Sequence, residues 1–122
     1  MSLNKVMIIG NVGGEPEIRY SGEQKVASIK VAATDRYKDK STGETKEVTE
    51  WFSVVCWRNT ADIVDKYIQK GSQVYVEGKL RTRKWTDQDG VTRYATDVIA
   101  DSIQLLGRKP QDAQQESSGD SF

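Results

Sequence analysis

The chain has 122 residues, of which 36 % are hydrophobic, and its 18 basic residues balance its 18 acidic ones. This length predicts one compact domain, and the zero net charge excludes attraction of nucleic acid through a general excess of positive charge. The single cysteine, Cys56, excludes an internal disulfide, and neither a secretory signal peptide nor a membrane span is expected.

Alternating apolar residues predict three strands in the first half of the chain. They cover residues 4–11, 26–34 and 47–57. A polar stretch at 35–46 separates the second strand from the third. The first strand places Val6 and Ile8 on one side and Met7 and Ile9 on the other, so both of its faces should be covered.

The second half of the chain begins with a helical pattern over residues 59–70. Asn59 or Thr60 is the expected N-cap, Gly71 the expected end, and Tyr67 falls on the apolar stripe, which predicts a core position. Two further strands are predicted at 74–85 and 92–106, joined by a hairpin turn that ends in Asp-Gly.

The predicted order is three strands, a helix and two strands. It matches an all-β fold with one helix, the five-stranded OB barrel, although a split sheet packed on one helix would match almost as well. This domain should span residues 1–107. From residue 108 to 122 the composition is polar and lacks apolar periodicity, which predicts a disordered tail.

The two tryptophans of the third strand share one face, because Trp51 and Trp57 are an even number of residues apart. Phe52, Val54 and Cys56 alternate with them and make the better interior set, since an indole N–H needs a hydrogen-bond partner when it is buried. Both tryptophans are therefore expected outside the barrel. The alternative is that each is an ordinary core residue.

A cationic row lies on one face of the fourth predicted strand. Lys79, Arg81 and Arg83 alternate along it and the row ends in Trp85. Positive charge beside an exposed ring suits single-stranded nucleic acid, which offers both phosphates and free base faces. The alternative is an edge strand that carries charge to prevent aggregation.

A basic loop between the second and third strands contains Tyr37, and Lys46 closes that loop. An exposed ring among cations could stack on a base, although Asp35 and Asp39 weaken the local field. A solvated hairpin tip is the alternative.

Enzymatic activity is not expected. The chain has no histidine, Cys56 has no evident base partner, and the glycines at 10–14 lack the Gly-Lys-Ser/Thr ending of a phosphate-binding loop. No cofactor and no metal site is predicted.

Several segments closely resemble the bacterial single-stranded DNA-binding protein family. The matching motifs are at residues 4–11, 16–20, 49–51, 70–78 and 80–87, the last reading LRTRKWTD. The similarity runs through about residues 3–107. It implies an OB fold, a homotetramer, sequence-independent binding of single-stranded DNA in replication, recombination and repair, a location at the bacterial nucleoid in the cytoplasm, and no enzymatic activity.

The resemblance also implies roles for particular residues. Bases would stack on the aromatic residues Tyr37, Trp51, Trp57 and Trp85. Phosphates would be attracted by the basic residues Lys5, Arg19, Lys40, Lys46, Lys70, Arg81, Arg83 and Lys84, to which the cationic row adds Lys79.

The tail departs from the family pattern. It is shortened, and it keeps Asp120 and Phe122 but lacks the acidic run through which relatives dock replication and repair proteins. Phe122 could still insert into a partner's apolar pocket, or it could be a last residue without a role. An alternative function for the whole chain is a primosome-type adaptor that reuses the OB fold and binds nucleic acid weakly.

Overall fold

The computed structural model describes residues 1–107, in which one helix follows the fourth of six strands. The strands are β1 (Val6–Val12), β2 (Glu17–Ser21), β3 (Gln24–Lys38), β4 (Thr45–Trp57), β5 (Gln73–Thr86) and β6 (Thr92–Leu106), and the helix is α1 (Arg58–Tyr67). The bounds of β6 are those predicted, and those of β4 and β5 differ from prediction by at most two residues. Within residues 1–107, no helix has the length and apolar character needed to cross a membrane.

Five strands close into a ring. Antiparallel pairing joins β1 to β5, β5 to β6, β4 to β3 and β3 back to β1. The remaining contact, between β4 and β6, is parallel and pairs only Val54 with Val98 and Val55 with Ile99. This ring is the barrel expected of an OB fold.

The short strand β2 was not predicted. It pairs antiparallel with β3 from Glu17 opposite Ser28 to Ser21 opposite Gln24, outside the five-stranded ring. Of its five residues only Ile18 is partly buried. An edge strand with so little burial has no clear hydrophobic alternation, which explains why sequence patterning did not identify it.

Valine side chains fill most of the barrel interior. Val31, Val54, Val76 and Val98 are at most 2 % exposed. Cys56 is fully buried beside them, and this burial raises the pKa of its thiol to about 12. It is a packed thiol, as the sequence predicted.

The helix contributes to the core only through a narrow stripe. Ala61 and Val64 are fully buried, and Ile68, just after the helix, is 5 % exposed. Tyr67 was predicted to be core but is 51 % exposed. That prediction was wrong because the helical pattern defines a wider apolar face than the end of the barrel covers.

Both helix ends also differ from the prediction. Trp57 is the N-cap residue and makes no side-chain capping bond, so neither Asn59 nor Thr60 caps the helix. The helix ends before Ile68, whose backbone is extended. Gly71, the predicted end, instead adopts a φ of 91° in the turn that leads into β5.

The first residue of the helix has an unfavourable backbone conformation. Arg58 has a φ of 53° and is the only non-glycine residue with positive φ among residues 1–107. A left-handed conformation costs a residue with a Cβ about 1–2 kcal/mol. A glycine variant would relieve this cost, but it would lose about 0.5–1 kcal/mol through the larger backbone entropy that glycine gives up on folding.

We expect Arg58→Gly to raise the free energy of unfolding by about 0.5–1 kcal/mol, measured by urea denaturation. Asn59→Gly, one residue into the helix, is the matched control and should not stabilise the protein.

Candidate nucleic-acid interface

The outer face of β4 carries the two exposed tryptophans. Trp51 is 58 % exposed and Trp57 is 38 % exposed, whereas Val54 and Cys56 between them are fully buried. Phe52 is partly buried and packs against the core. The predicted orientation of this strand is therefore confirmed.

The cationic row of β5 continues the same face. In the β5–β6 hairpin, Lys79 lies opposite Ile99 and Arg81 opposite Asp97. Ile99 in turn pairs with Val55 on the outer face of β4. Because residues that pair directly point to the same side of a sheet, Lys79, Arg81, Arg83 and Trp85 share a continuous surface with the β4 tryptophans.

A groove of about 750 Å³ runs along this surface. Its aromatic wall is Trp57. Its charged lining consists of the cations Arg19, Lys30, Arg81 and Arg83 and the carboxylates of Glu15, Glu17 and Asp97. The groove therefore brings strands β2 to β6 together around one ring and a nearly balanced set of charges.

Two cations of the groove differ in their freedom. The Arg83 Nε donates a hydrogen bond of 2.7 Å to Asp97 Oδ2, and the guanidinium carbon lies 4.9 Å from the centre of the Trp85 ring. Arg81 makes no ion pair with any residue of the described part of the chain. Arg81 is consequently the better placed of the two to meet a phosphate.

The backbone beside β1 fixes the position of the Trp51 ring. Gly13 donates its backbone N–H to the Lys30 carbonyl at 2.9 Å. A Cβ on Gly13 would stand against the Trp51 ring, 2.6 Å from its Cη2. The indole therefore lies directly on a bare stretch of backbone, which holds it in place while leaving much of its surface open.

Gly13→Ala should displace the Trp51 ring, because a methyl group cannot share that space. We expect the affinity for a dT oligomer to fall by roughly 1 kcal/mol, a part of what a stacked base contributes, and the barrel to remain folded. Gly14→Ala is the matched control, since a Cβ on Gly14 would have nothing within 4 Å. Fluorescence anisotropy of a labelled dT oligomer measures both variants, and equal affinities would show that Gly13 does not position the ring.

The β3–β4 hairpin arm carries Tyr37 and two of the predicted lysines outside the groove. Tyr37 is 51 % exposed and pairs with Lys46, so by register both lie on the opposite face of the arm from Trp51. Lys46 contacts Asp39 at 3.0 Å, and hydrogen bonds from the Ser41 hydroxyl and Lys46 lower the pKa of that carboxyl. Lys40 is exposed in the turn.

Three further predicted lysines do not line the groove. Lys5 lies beside Glu77 at 3.5 Å. Lys84 is on the other face of the β5–β6 hairpin, with its Nζ 6.0 Å from the centre of the Tyr94 ring. Lys70 is exposed in the turn after α1, where the following residue bonds to the Val12 carbonyl.

Sequence reasoning missed four charged residues of the groove, which are Glu15, Glu17, Lys30 and Asp97. Glu15 and Glu17 lie just before and in β2, the strand that sequence patterning did not identify. Lys30 alternates with the inward set of β3, so strand periodicity could have placed it outside; its Nζ donates to Ser53 Oγ at 2.7 Å. Asp97 could not have been found from the sequence, since its proximity to the groove depends on the parallel contact between β4 and β6. Asp120 and Phe122, the predicted partner-binding residues, lie outside the described residues.

Comparison with known proteins agrees with this geometry. The sequence model of the single-strand binding protein family matches residues 3–106. The chain belongs to this family. It is a non-enzymatic single-stranded DNA-binding protein with an OB fold, as the sequence predicted.

Individual relatives give the same result. The chain is 49 % identical over 109 residues to Single-stranded DNA-binding protein 1 of Xylella fastidiosa (strain 9a5c), covering 88 % of this chain and 80 % of that protein. Its structure matches that of the Plasmodium falciparum SSB complex with ssDNA with a TM-score of 0.79 and 38 % sequence identity. That match covers 88 % of this chain and 97 % of the Plasmodium chain.

Proposed function

We propose that this protein coats single-stranded DNA along the outer sheet face by stacking bases on Trp51, Trp57 and Trp85. The observation that carries the proposal is the position of three exposed indoles on one continuous surface, at 58, 38 and 40 % exposure. Each stacked base contributes about 1–3 kcal/mol to binding. The groove beside Trp57 then holds the backbone, with Arg81 and Arg19 as its phosphate contacts.

Binding of this kind has little dependence on sequence. Stacking is available to every base, and phosphate contacts carry no sequence information. Such a binder protects single strands exposed during replication, recombination and repair, which for a bacterial chain occurs at the nucleoid in the cytoplasm. To reach Tyr37 and Lys46 the DNA would pass around the β3–β4 arm, since both residues lie on the opposite face of that arm from Trp51, with Lys40 in the turn at its tip.

Titration of intrinsic tryptophan fluorescence tests this function. A dT oligomer should quench the emission strongly at low salt and less at high salt, while a duplex of equal length should not, because its base faces are already stacked. Equal quenching by both ligands would refute base stacking. Weak quenching by the dT oligomer would favour the primosome-type adaptor.

We further propose that the chain assembles as a homotetramer. On the outer side of β1, Met7 is 63 % exposed and Ile9 is 56 % exposed in the single chain. The β1 residues from Val6 to Gly10 pair with β5 alone, so their other edge is open to a second copy. The sequence predicted that both faces of this strand are covered, and assembly would cover the second.

The polar groups next to these apolar residues are already paired. Tyr75 donates its hydroxyl to Glu77 Oε2 at 2.7 Å, and Glu77 also meets Lys5. The Tyr75 hydrogen bond, followed by the Lys5 charge, lowers the pKa of the Glu77 carboxyl. A paired network of this kind can be buried at lower cost than isolated charges, which supports the assembly and gives Lys5 a structural role in place of a DNA contact.

The tail remains a separate proposal. Docking of replication and repair proteins through Asp120 and Phe122 rests on the resemblance to the family alone. With Glu116 and Asp120 as the acids near the end, the electrostatic part of docking should be weak. Deleting residues 121–122 should leave DNA affinity unchanged and remove recovery of such partners in pull-downs, and recovery without these residues would contradict the proposal.

A further inference from the structure

A buried carboxylate lies under the proposed DNA path. Asp97 is 6 % exposed and is the only buried charged residue among residues 1–107. Its partner is the Arg83 Nε at 2.7 Å, and the Arg83 side chain remains 57 % exposed above it. An acidic group in a surface that binds a polyanion needs a physical explanation.

The pairing is diagonal rather than direct. Across the hairpin Asp97 lies opposite Arg81, yet it bonds Arg83 two residues further along β5. This leaves Arg81 unpaired among the described residues, while the Arg83 side chain contacts both Asp97 and the ring of Trp85. The guanidinium carbon of Arg83 is then 4.9 Å from the centre of the Trp85 ring.

From this geometry we propose that Asp97 is a positioning residue that cancels the charge of Arg83 and holds its guanidinium against Trp85. Arg83 thus enlarges the stacking surface and does not neutralise a phosphate. Arg81 supplies the phosphate contact of this hairpin. The inference deepens the proposed function and rests on it.

The burial of Asp97 and the planarity of the Arg83 guanidinium both support this division of roles. A carboxylate that is almost fully buried is strongly destabilised when its cation leaves, so Arg83 should stay with Asp97 when DNA binds. A guanidinium is planar and weakly hydrated, and it stacks well on aromatic faces and on bases. With Nε engaged by Asp97, the plane is fixed in a way that a free arginine side chain is not.

The salt dependence of binding separates the two arginines. Each phosphate neutralised on a single strand contributes about 0.7 to the slope of log K against log salt concentration. An arginine whose charge is cancelled contributes nothing to that slope, but its stacking contribution persists at high salt. The variants are therefore Arg81→Gln, and Arg83→Gln combined with Asp97→Asn so that no buried charge is left unpaired.

Affinity for a dT oligomer should be measured by anisotropy at five or more salt concentrations. Arg81→Gln should lower the slope by about 0.7, so that its line converges with the wild-type line at high salt. The Arg83→Gln/Asp97→Asn variant should bind the oligomer roughly five- to tenfold more weakly than wild type at every salt concentration, so that its line is parallel to the wild-type line. A slope lowered by about 0.7 in the double variant would overturn the inference, because Arg83 would then contact phosphate.

Asp97→Asn alone provides an independent test, since an amide oxygen can still accept the Arg83 hydrogen bond. Removal of the negative charge should free the charge of Arg83 and steepen the slope by about 0.7. An unchanged slope would contradict charge cancellation.

Thermal unfolding of each variant should be measured to check that the variant is folded. A wild-type protein that fails to bind the oligomer would refute the proposed function itself. If the wild type binds normally but the double variant has a shallower slope of log K against log salt concentration, only the role of Asp97 is refuted.

Discussion

Trp51→Ala is expected to weaken binding to a dT oligomer by about 1–3 kcal/mol, which is the loss of one stacked base. The ring is 58 % exposed and rests on the backbone of Gly13 outside the core. Its removal should therefore change the free energy of unfolding by less than about 1 kcal/mol, as for other surface substitutions. Titration of a labelled oligomer and urea denaturation give the two values.

Tyr67→Ala is the matched control for this substitution. Tyr67 is an aromatic residue of similar exposure, 51 %, but it lies on α1 and not on the outer sheet face that carries the tryptophans. Its truncation should leave DNA affinity unchanged. An equal loss of affinity in both variants, or cooperative unfolding of Trp51→Ala at much lower urea, would show that the outer face of β4 is not the stacking surface.

Ile9→Glu is expected to dissociate the proposed tetramer. The substitution would place a carboxylate at an apolar position that assembly buries, and an unpaired buried charge costs several kcal/mol at each interface. Light scattering should show the mass of the wild-type protein as four times 13.7 kDa and that of the variant as a smaller species. The variant should stay folded, because Ile9 is 56 % exposed in the single chain.

Val91→Glu serves as the control for added negative charge. Val91 is 48 % exposed and lies in the turn between β5 and β6, away from β1. Its variant should keep the wild-type mass. A wild-type protein that is monomeric, or an Ile9→Glu variant of unchanged mass, would contradict assembly through the outer side of β1.

The sequence was most informative where one strand alone determines the answer. The alternation on β4 correctly separated Trp51 and Trp57 from Val54 and Cys56, because side chains of a strand point alternately to its two faces. The same rule grouped Arg81, Arg83 and Trp85. Lys84 was added through the family resemblance, although strand periodicity already places it on the other face of the hairpin.

Features that depend on contacts between elements could not be predicted in this way. The helix start is determined by the connection from β4, where Arg58 adopts a left-handed conformation that no capping signal indicates. The pairing of Arg83 with Asp97 requires the register of the β5–β6 hairpin. The exposure of Tyr67 depends on how much of α1 the barrel end covers.

Photo-crosslinking tests whether bases stack on the three tryptophans of the outer sheet face. A dT oligomer containing 5-iododeoxyuridine would be irradiated in complex with the full chain, and the crosslinked peptides identified by mass spectrometry. We expect crosslinks at Trp51, Trp57 and Trp85. Crosslinks confined to aromatic residues outside this face, such as Tyr20 or Tyr67, would contradict the proposed DNA path.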